Sequence, residues 1–263
     1  MDTSFIIVST CWIAGLGLLS GIVLAVAAKY LTVEEDPRIA QVAELLPGVN
    51  CGGCGLAGCM DYARGIVLKG MPPNLCAPGG AECVKRICAF MGVAAEISEP
   101  KTARVLCGGS TKTAKRKFLY NGIADCAAAA ATAGGDKGCP YGCLGYGSCA
   151  RVCPVNAIRV VDGLAVVDKA RCISCGKCVG VCPRKIIKIV PSAETLHVLC
   201  SSKDKGPQVK HYCSVGCIGC RICTKFAGEA IVMEGFLALR DYTKQPPNDE
   251  AAAKCPGKCI TKG

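Results

Sequence analysis

Hydrophobic and polar positions divide the chain into two unequal parts. From Phe5 to Ala28, FIIVSTCWIAGLGLLSGIVLAVAA, 24 residues pass without a charge. That length crosses a hydrocarbon core as a helix with some tilt. The residues before it, MDTS, contain no Lys or Arg, and the apolar run exceeds that of a cleavable signal, so the segment reads as a retained anchor. Asp2 precedes the helix while Lys29, Tyr30 and Arg38 follow it. The positive-inside tendency then puts the N-terminus outside and the remaining chain in the cytoplasm. Ala14, Gly15, Gly17, Ser20, Gly21 and Ala25 would let another membrane helix approach closely. Cys11 reads as a small apolar residue of the same helix.

Past the anchor the period becomes that of short amphipathic helices. Asp36-Pro37 supplies an N-cap and a first-turn proline, Ile39, Val42, Ala43 and Leu46 share one face, and Pro47-Gly48 ends the helix. A second helix opens at Cys59, carries Tyr62, Ala63, Ile66 and Val67, and stops before Gly70. In a third, Val84, Ile87, Cys88 and Met91 recur at i, i+3, i+4, i+7 up to Gly92. Cys88 therefore reads as core, and Cys83 lies off the stripe without an assignment. Ala127 to Ala131 reads as a small-residue helix ended by Gly134-Gly135.

Cysteine changes this picture most. The chain has 24 in 263 residues, most of them in groups two or three residues apart. Thiols that close bridge one another only with strain, but they wrap a metal centre well. Only His197 and His211 are present, which leaves little for Cys/His zinc sites or imidazole catalysis. The formal charge of +11 counts every cysteine as neutral; four [4Fe–4S] clusters on cysteinates would cancel roughly eight of those charges. Nucleic-acid binding has no helix-turn-helix or arginine stripe behind it. Lys112, Lys115, Arg116 and Lys117 form a local basic patch, either a solvated face or a landing site for an acidic electron carrier.

The first group is Cys51-x2-Cys54-x4-Cys59-x16-Cys76, in CGGCGLAGC closed by CAPGG. Glycines between the thiols permit the turns that aim three of them at one centre, and Cys76 closes the site across the helix. The spacing suits one [4Fe–4S] cluster, with structural zinc as the alternative. Cys172-x2-Cys175-x2-Cys178-x3-Cys182-Pro183 is the bacterial ferredoxin run, in which the fourth cysteine crosses to a second cluster. Its partner run, Cys143, Cys149 and Cys153-Pro154, has Tyr146 where a cysteine is due. One cluster is thus expected on Cys153, Cys172, Cys175 and Cys178. A second is expected on Cys143, Cys149, Cys182 and, as the missing thiolate, Cys139.

The pattern then repeats. A shift of 74 carries Cys139, Cys143, Tyr146 and Cys149 onto Cys213, Cys217, Cys220 and Cys223. A shift of 73 carries Cys182-Pro183 onto Cys255-Pro256, but Cys172, Cys175 and Cys178 onto Gln245, Asn248 and Ala251. All the ligands of one cluster have gone together, while Cys217, Cys220, Cys223 and Cys255 remain for the other. Crossed ligation accounts for that correlated loss, so the second module should hold one cluster. Cys107, Cys126, Cys200, Cys213 and Cys259 are left over. VLC at 105–107 recurs at 198–200, so Cys107/Cys139 and Cys200/Cys213 are equivalent pairs that either bind a further cluster or pack as buried thiols. The 107–149 region reads as an extra or modified site, with Cys107, Cys126 and Cys213 as further candidate ligands and Cys200 and Cys259 as buried thiols.

The order of an anchor helix, LTVEEDP, CGGCGLAGC with CAPGG, and ferredoxin modules ending in KCPGKCI resembles the B subunit of Rnf complexes over nearly the whole chain. The resemblance implies a membrane assembly that couples electron flow from reduced ferredoxin to sodium or proton translocation. It also implies NAD⁺ as acceptor through flavin-bearing partner subunits, with the B subunit as electron entry. The C-terminal module departs from the fuller family pattern by lacking one cluster.

The residues themselves point the same way. There is no phosphate-binding glycine fingerprint, since GCLGYG belongs to a cysteine run, and no nucleophile–base pair. No residue is therefore expected to be catalytic, and the clusters would carry the chemistry. The expected fold is α+β: a transmembrane anchor (1–30), a small helical [4Fe–4S] domain (31–95), a ferredoxin-like module with two clusters (96–192) and a reduced ferredoxin-like module with one (193–263). At least four [4Fe–4S] clusters follow. Two alternatives stand beside this reading: a homologous complex that reduces a redox-sensing transcription factor, and a zinc-stabilised membrane scaffold.

Overall fold

The computed structural model describes residues 3–30, 35–95 and 99–262. Asp2 and the LTVE segment at 31–34, used above for orientation and resemblance, lie outside the described residues. Helix α1 (Thr3–Tyr30) is long enough to cross a membrane, at about 42 Å from a rise of about 1.5 Å per residue. Trp12, Leu16, Leu19 and Leu24 are all exposed on it. Large apolar side chains left uncovered around a helix fit a lipid environment, not water.

Three helices pack next: α2 (Pro37–Leu45), α3 (Cys59–Lys69) and α4 (Gly80–Met91). The Asp36 carboxylate accepts from the Arg38 amide at 2.9 Å and caps α2. Gly70 and Gly92 end α3 and α4 in the left-handed conformation. Ile39, Val42, Tyr62, Ile66 and Ile87 bury their side chains together, so the apolar stripes read from the sequence face one another.

The remaining chain mixes short helices with two-stranded antiparallel sheets. In order these elements are β1 (Lys101–Val105), α5 (Cys126–Ala131), α6 (Ser148–Arg151), β2 (Ile158–Val161), β3 (Leu164–Val167), α7 (Lys177–Val181) and β4 (Ile187–Pro191). They are followed by β5 (Leu196–Val198), α8 (Gly206–Tyr212), α9 (Ile222–Ala227), β6 (Ile231–Glu234), β7 (Leu237–Arg240), α10 (Glu250–Ala253) and β8 (Ile260–Lys262). Strand β1 pairs with β4, setting Val105 opposite Ile187, and β5 pairs with β8, setting Val198 opposite Ile260. The hairpins β2–β3 and β6–β7 occupy equivalent places between them, 73 residues apart, as the internal alignment requires. Each half has its own apolar core, one around Ala103, Val105, Ile158 and Ile187 and one around Leu196, Ile231, Leu237 and Ile260. Glu194 and Arg240, both buried, bridge at 2.5 Å in the second half. Mixed helix and strand content is thus what the chain has.

Candidate metal centres

In the helical domain, Asn50 Oδ1 accepts from the Cys59 amide at 2.8 Å and fixes the start of α3. Buried Tyr62 donates its hydroxyl to the Pro72 carbonyl at 2.7 Å and accepts from the Leu75 amide at 3.0 Å. Those two bonds hold the segment that delivers Cys76. Burial first, then the neighbouring Cys83, Cys59 and Cys51, push the Cys76 thiol up to about 11, while the Gly79 amide donating to it works the other way. A Cβ on Gly79 would stand 3.3 Å from Cys76 Sγ and 2.7 Å from Cys83 Sγ, so the backbone approaches the sulfur closely only because this residue is glycine. Cys83 donates to the Leu45 carbonyl at 3.3 Å, which gives it a packing place between α2 and α4. Cys88, also buried, donates to the Ala94 carbonyl at 3.7 Å.

The ferredoxin-type runs line cavities. Cys153, Cys172, Cys175 and Cys178 surround one of about 320 Å³. The Ala157 amide donates to Cys153 Sγ at 3.2 Å and the Ala103 amide to Cys172 Sγ at 3.4 Å. Cys143, Cys149 and Cys182 line a second cavity of about 350 Å³, and the fourth thiol there is Cys126, not Cys139. This differs from the expectation, and local capping explains it. Asp125 caps α5 by accepting from Ala127 and Ala128, and it also accepts from the Ser148 hydroxyl at 2.7 Å and from Arg151 at 2.9 Å. Ser148 Oγ in turn accepts from the Cys126 amide at 2.7 Å. The start of α5 is thereby pinned to α6, bringing Cys126 beside Cys149. The Ser148 hydroxyl first, with the capping amides, holds the Asp125 carboxyl down to about 2. Tyr146, at the position where a cysteine was due, points its hydroxyl at Asp136 Oδ2 instead, at 2.8 Å.

Cys217, Cys220, Cys223 and Cys255 line a cavity of about 320 Å³ together with Cys259. Cys259 and Cys255 stand 3.7 Å apart, sulfur to sulfur. The Cys259 thiol beside them holds Cys217 down to about 6 and Cys255 down to about 5, and is itself pushed strongly up. Cys139 instead shares a fourth cavity with Cys107, Cys213 and Cys200, the last read from the sequence as a buried thiol. Cys11 is exposed on α1. In the basic patch, Lys112 pairs with Asp162 at 2.9 Å and Arg116 with Asp136 at 2.5 Å; Lys115 and Lys117 stay exposed.

Among the described residues, no three His, Cys, Asp or Glu side chains close on a single metal ion. The thiols stand around larger spaces, with backbone N–H groups aimed at the sulfurs. Burial makes an isolated thiolate costly, pushing Cys149 to about 12 and Cys178 and Cys223 to about 11. An iron–sulfur core removes that cost by binding the anion, and amide donors to sulfur are how proteins support it. The donor set fits [4Fe–4S] clusters.

The site thus defines an iron–sulfur protein of the electron-transfer class. An Fe–S cluster family model matches residues 46–78 and a 4Fe-4S dicluster domain matches residues 136–194. The chain is 44% identical over 260 residues to the B subunit of the ion-translocating oxidoreductase complex of Methanosarcina acetivorans, covering 98% of each chain. It is 43% identical to the B subunit of the Na⁺-translocating ferredoxin:NAD⁺ oxidoreductase complex of Acetobacterium woodii, over 93% of this chain and 74% of that one. It is 42% identical to the proton-translocating counterpart of Clostridium ljungdahlii, over 93% and 88%. The chain belongs to the B-subunit family of ion-translocating, Rnf-type oxidoreductase complexes. It is a membrane subunit that carries [4Fe–4S] clusters, transfers electrons and assembles with other subunits of a translocase.

Proposed function

We propose that this chain takes electrons from reduced ferredoxin and passes them, through flavin-bearing partner subunits, into a complex that couples the redox reaction to sodium or proton translocation. The observation that carries this reading is the close approach of successive cysteine sites. A Cβ on Gly53, in the loop between Cys51 and Cys54, would lie 3.2 Å from the Cys175 carbonyl, so the helical domain abuts the first ferredoxin-type site. Cys178 lines that site and Cys182, four residues on, lines the next, which joins the two. When bound, [4Fe–4S] clusters supply one-electron couples. The chain's own residues set spacing, exclude water and tune each site through amide donors to sulfur.

Within this reading α1 is the anchor, its N-terminus outside and residues 31–263 cytoplasmic. Residues 31–95 form a helical cluster domain on Cys51, Cys54, Cys59 and Cys76. Residues 96–192 form a two-cluster ferredoxin-like module on Cys153, Cys172, Cys175, Cys178 and on Cys126, Cys143, Cys149, Cys182. Residues 193–263 form a reduced module on Cys217, Cys220, Cys223 and Cys255. Exposed Lys115 and Lys117 suit an acidic donor. The test uses membrane vesicles with and without this subunit. Ferredoxin-driven ion uptake should vanish without it and return on its reconstitution; uptake that survives its removal contradicts the proposal.

A further inference from the structure

We propose a fifth [4Fe–4S] site, between the two ferredoxin-like halves, held by Cys107, Cys139, Cys200 and Cys213. The four line one cavity, as the ferredoxin-type cysteine runs line theirs. A Cβ on Gly109 would be 3.6 Å from Cys107 Sγ and 3.7 Å from Cys213 Sγ, so sulfurs from the two halves converge there. The site is additional to the four above and does not depend on which donor feeds the chain.

The site is built by the internal repeat. Strand β1 runs into Cys107 and β5 into Cys200, two residues past the equivalent Val105 and Val198. The strand ends lock reciprocally: Gly108 N–H donates to the Leu199 carbonyl at 3.0 Å, and the Ser201 hydroxyl donates to the Leu106 carbonyl at 2.8 Å. Cys139 and Cys213 are the second equivalent pair, drawn together because Lys115 pairs its N–H with the Tyr212 carbonyl and its carbonyl with the Gly138 N–H, both at 2.8 Å. Each half therefore contributes the same two thiols. Neither half holds a complete site alone.

Two of the four sulfurs, one from each half, accept a backbone N–H. Cys143 donates to Cys107 at 3.4 Å and Ser202 to Cys200 at 3.5 Å. The turn that brings the amide two residues on back to the sulfur also serves Cys51 and Cys217. A buried neutral thiol needs no such donors; a thiolate bound to iron does. Charge points the same way. Lys137 is only 4% exposed, and its ammonium donates at 2.6 Å to the carbonyls of Gly109 and Cys143. Among the described residues it forms no ion pair with a carboxylate. A buried cation without an anion is costly, and a cluster with four cysteinates carries about −2.

The location gives the site a role. Cys143, whose amide bonds Cys107 Sγ, lines the preceding cavity with its own thiol. Cys217, next in the chain to Gly216 of this cavity's lining, lines the following one. Without a fifth centre the C-terminal site would be separated from the others by a thiol-lined gap. With one, a single electron enters from one neighbour and leaves to the other, with no bond or proton changing place.

The test is iron, zinc and acid-labile sulfide per anaerobically matured full-length chain, with low-temperature paramagnetic resonance after reduction. About twenty irons and twenty sulfides are expected, against about sixteen for four clusters. Cys139→Ala and Cys200→Ala, in different halves, should each lose about four irons, and the double variant no more. Cys88→Ala, outside every site, should lose none. A wild-type count near sixteen, one zinc in place of the missing four irons, or additive losses in the double variant would overturn the proposal. Because the wild-type count stands alone, misfolding of a variant cannot rescue it. Full iron with no ion uptake in vesicles would sink the functional reading and leave the fifth site standing.

Discussion

Cys259 shows how one side chain outside a ligand set can act on it. It is 2% exposed and stands 3.7 Å from Cys255, sulfur to sulfur, so as a neutral thiol it can donate its S–H to a ligand sulfur. A donor to a cluster sulfur favours the reduced, more negative state and raises the potential. Cys259→Ala should retain iron yet move that centre's midpoint more negative. The expected size is on the order of 40 mV, since a hydrogen bond worth about 1 kcal/mol converts so for one electron. Cys255→Ala should instead lose the centre. A redox titration followed by paramagnetic resonance distinguishes the two; an unmoved potential in Cys259→Ala would make Cys259 packing alone.

Among the elements, the short α5 matters because Asp125 tethers it. That carboxylate ties the helix start to Ser148 and Arg151 on α6, and Cys126 rides on the same turn. Asp125→Ala should leave the fold intact but make iron at the Cys126 site about ten- to a hundredfold more sensitive to chelator, the range seen for supporting contacts around metal ligands. Asp125→Asn, which keeps an acceptor, should fall between. Equal iron release from wild type and Asp125→Ala would mean that Cys126 does not hold the cluster. The same element marks where sequence reasoning runs out. Caps, helix stripes and the ferredoxin run are written within a few residues, so α2, α3, α4 and the grouping of Cys153 with Cys172, Cys175 and Cys178 could be read directly. Cys126 lies 17 residues before Cys143 and reaches its cavity through a side-chain network with no fixed spacing. Proximity along the chain favoured Cys139, and only the fold separates the two.

For the whole molecule, the internal repeat was legible as a shift in register, and so was the correlated loss of four cysteines from its second copy. The recurrence of VLC singled out Cys107 and Cys200. That they face one another across the two halves was not legible, because a contact between repeats leaves no period in either one. The resulting arrangement is a run of thiol-lined sites from the helical domain, past Cys175, through the first module and across Cys107 and Cys200 to Cys255. A membrane helix holds that run at one end.

Whether these sites accept electrons from ferredoxin is decided by titrating the anaerobically purified full-length chain with reduced ferredoxin. Optical bleaching and paramagnetic resonance would be followed together. Ferredoxin should reoxidise as the chain takes up electrons, to a limit of about five per chain at one per cluster, and uptake should weaken at high salt. Ferredoxin that stays reduced beside an iron-replete chain, while a small chemical reductant bleaches that chain fully, would refute ferredoxin as the donor.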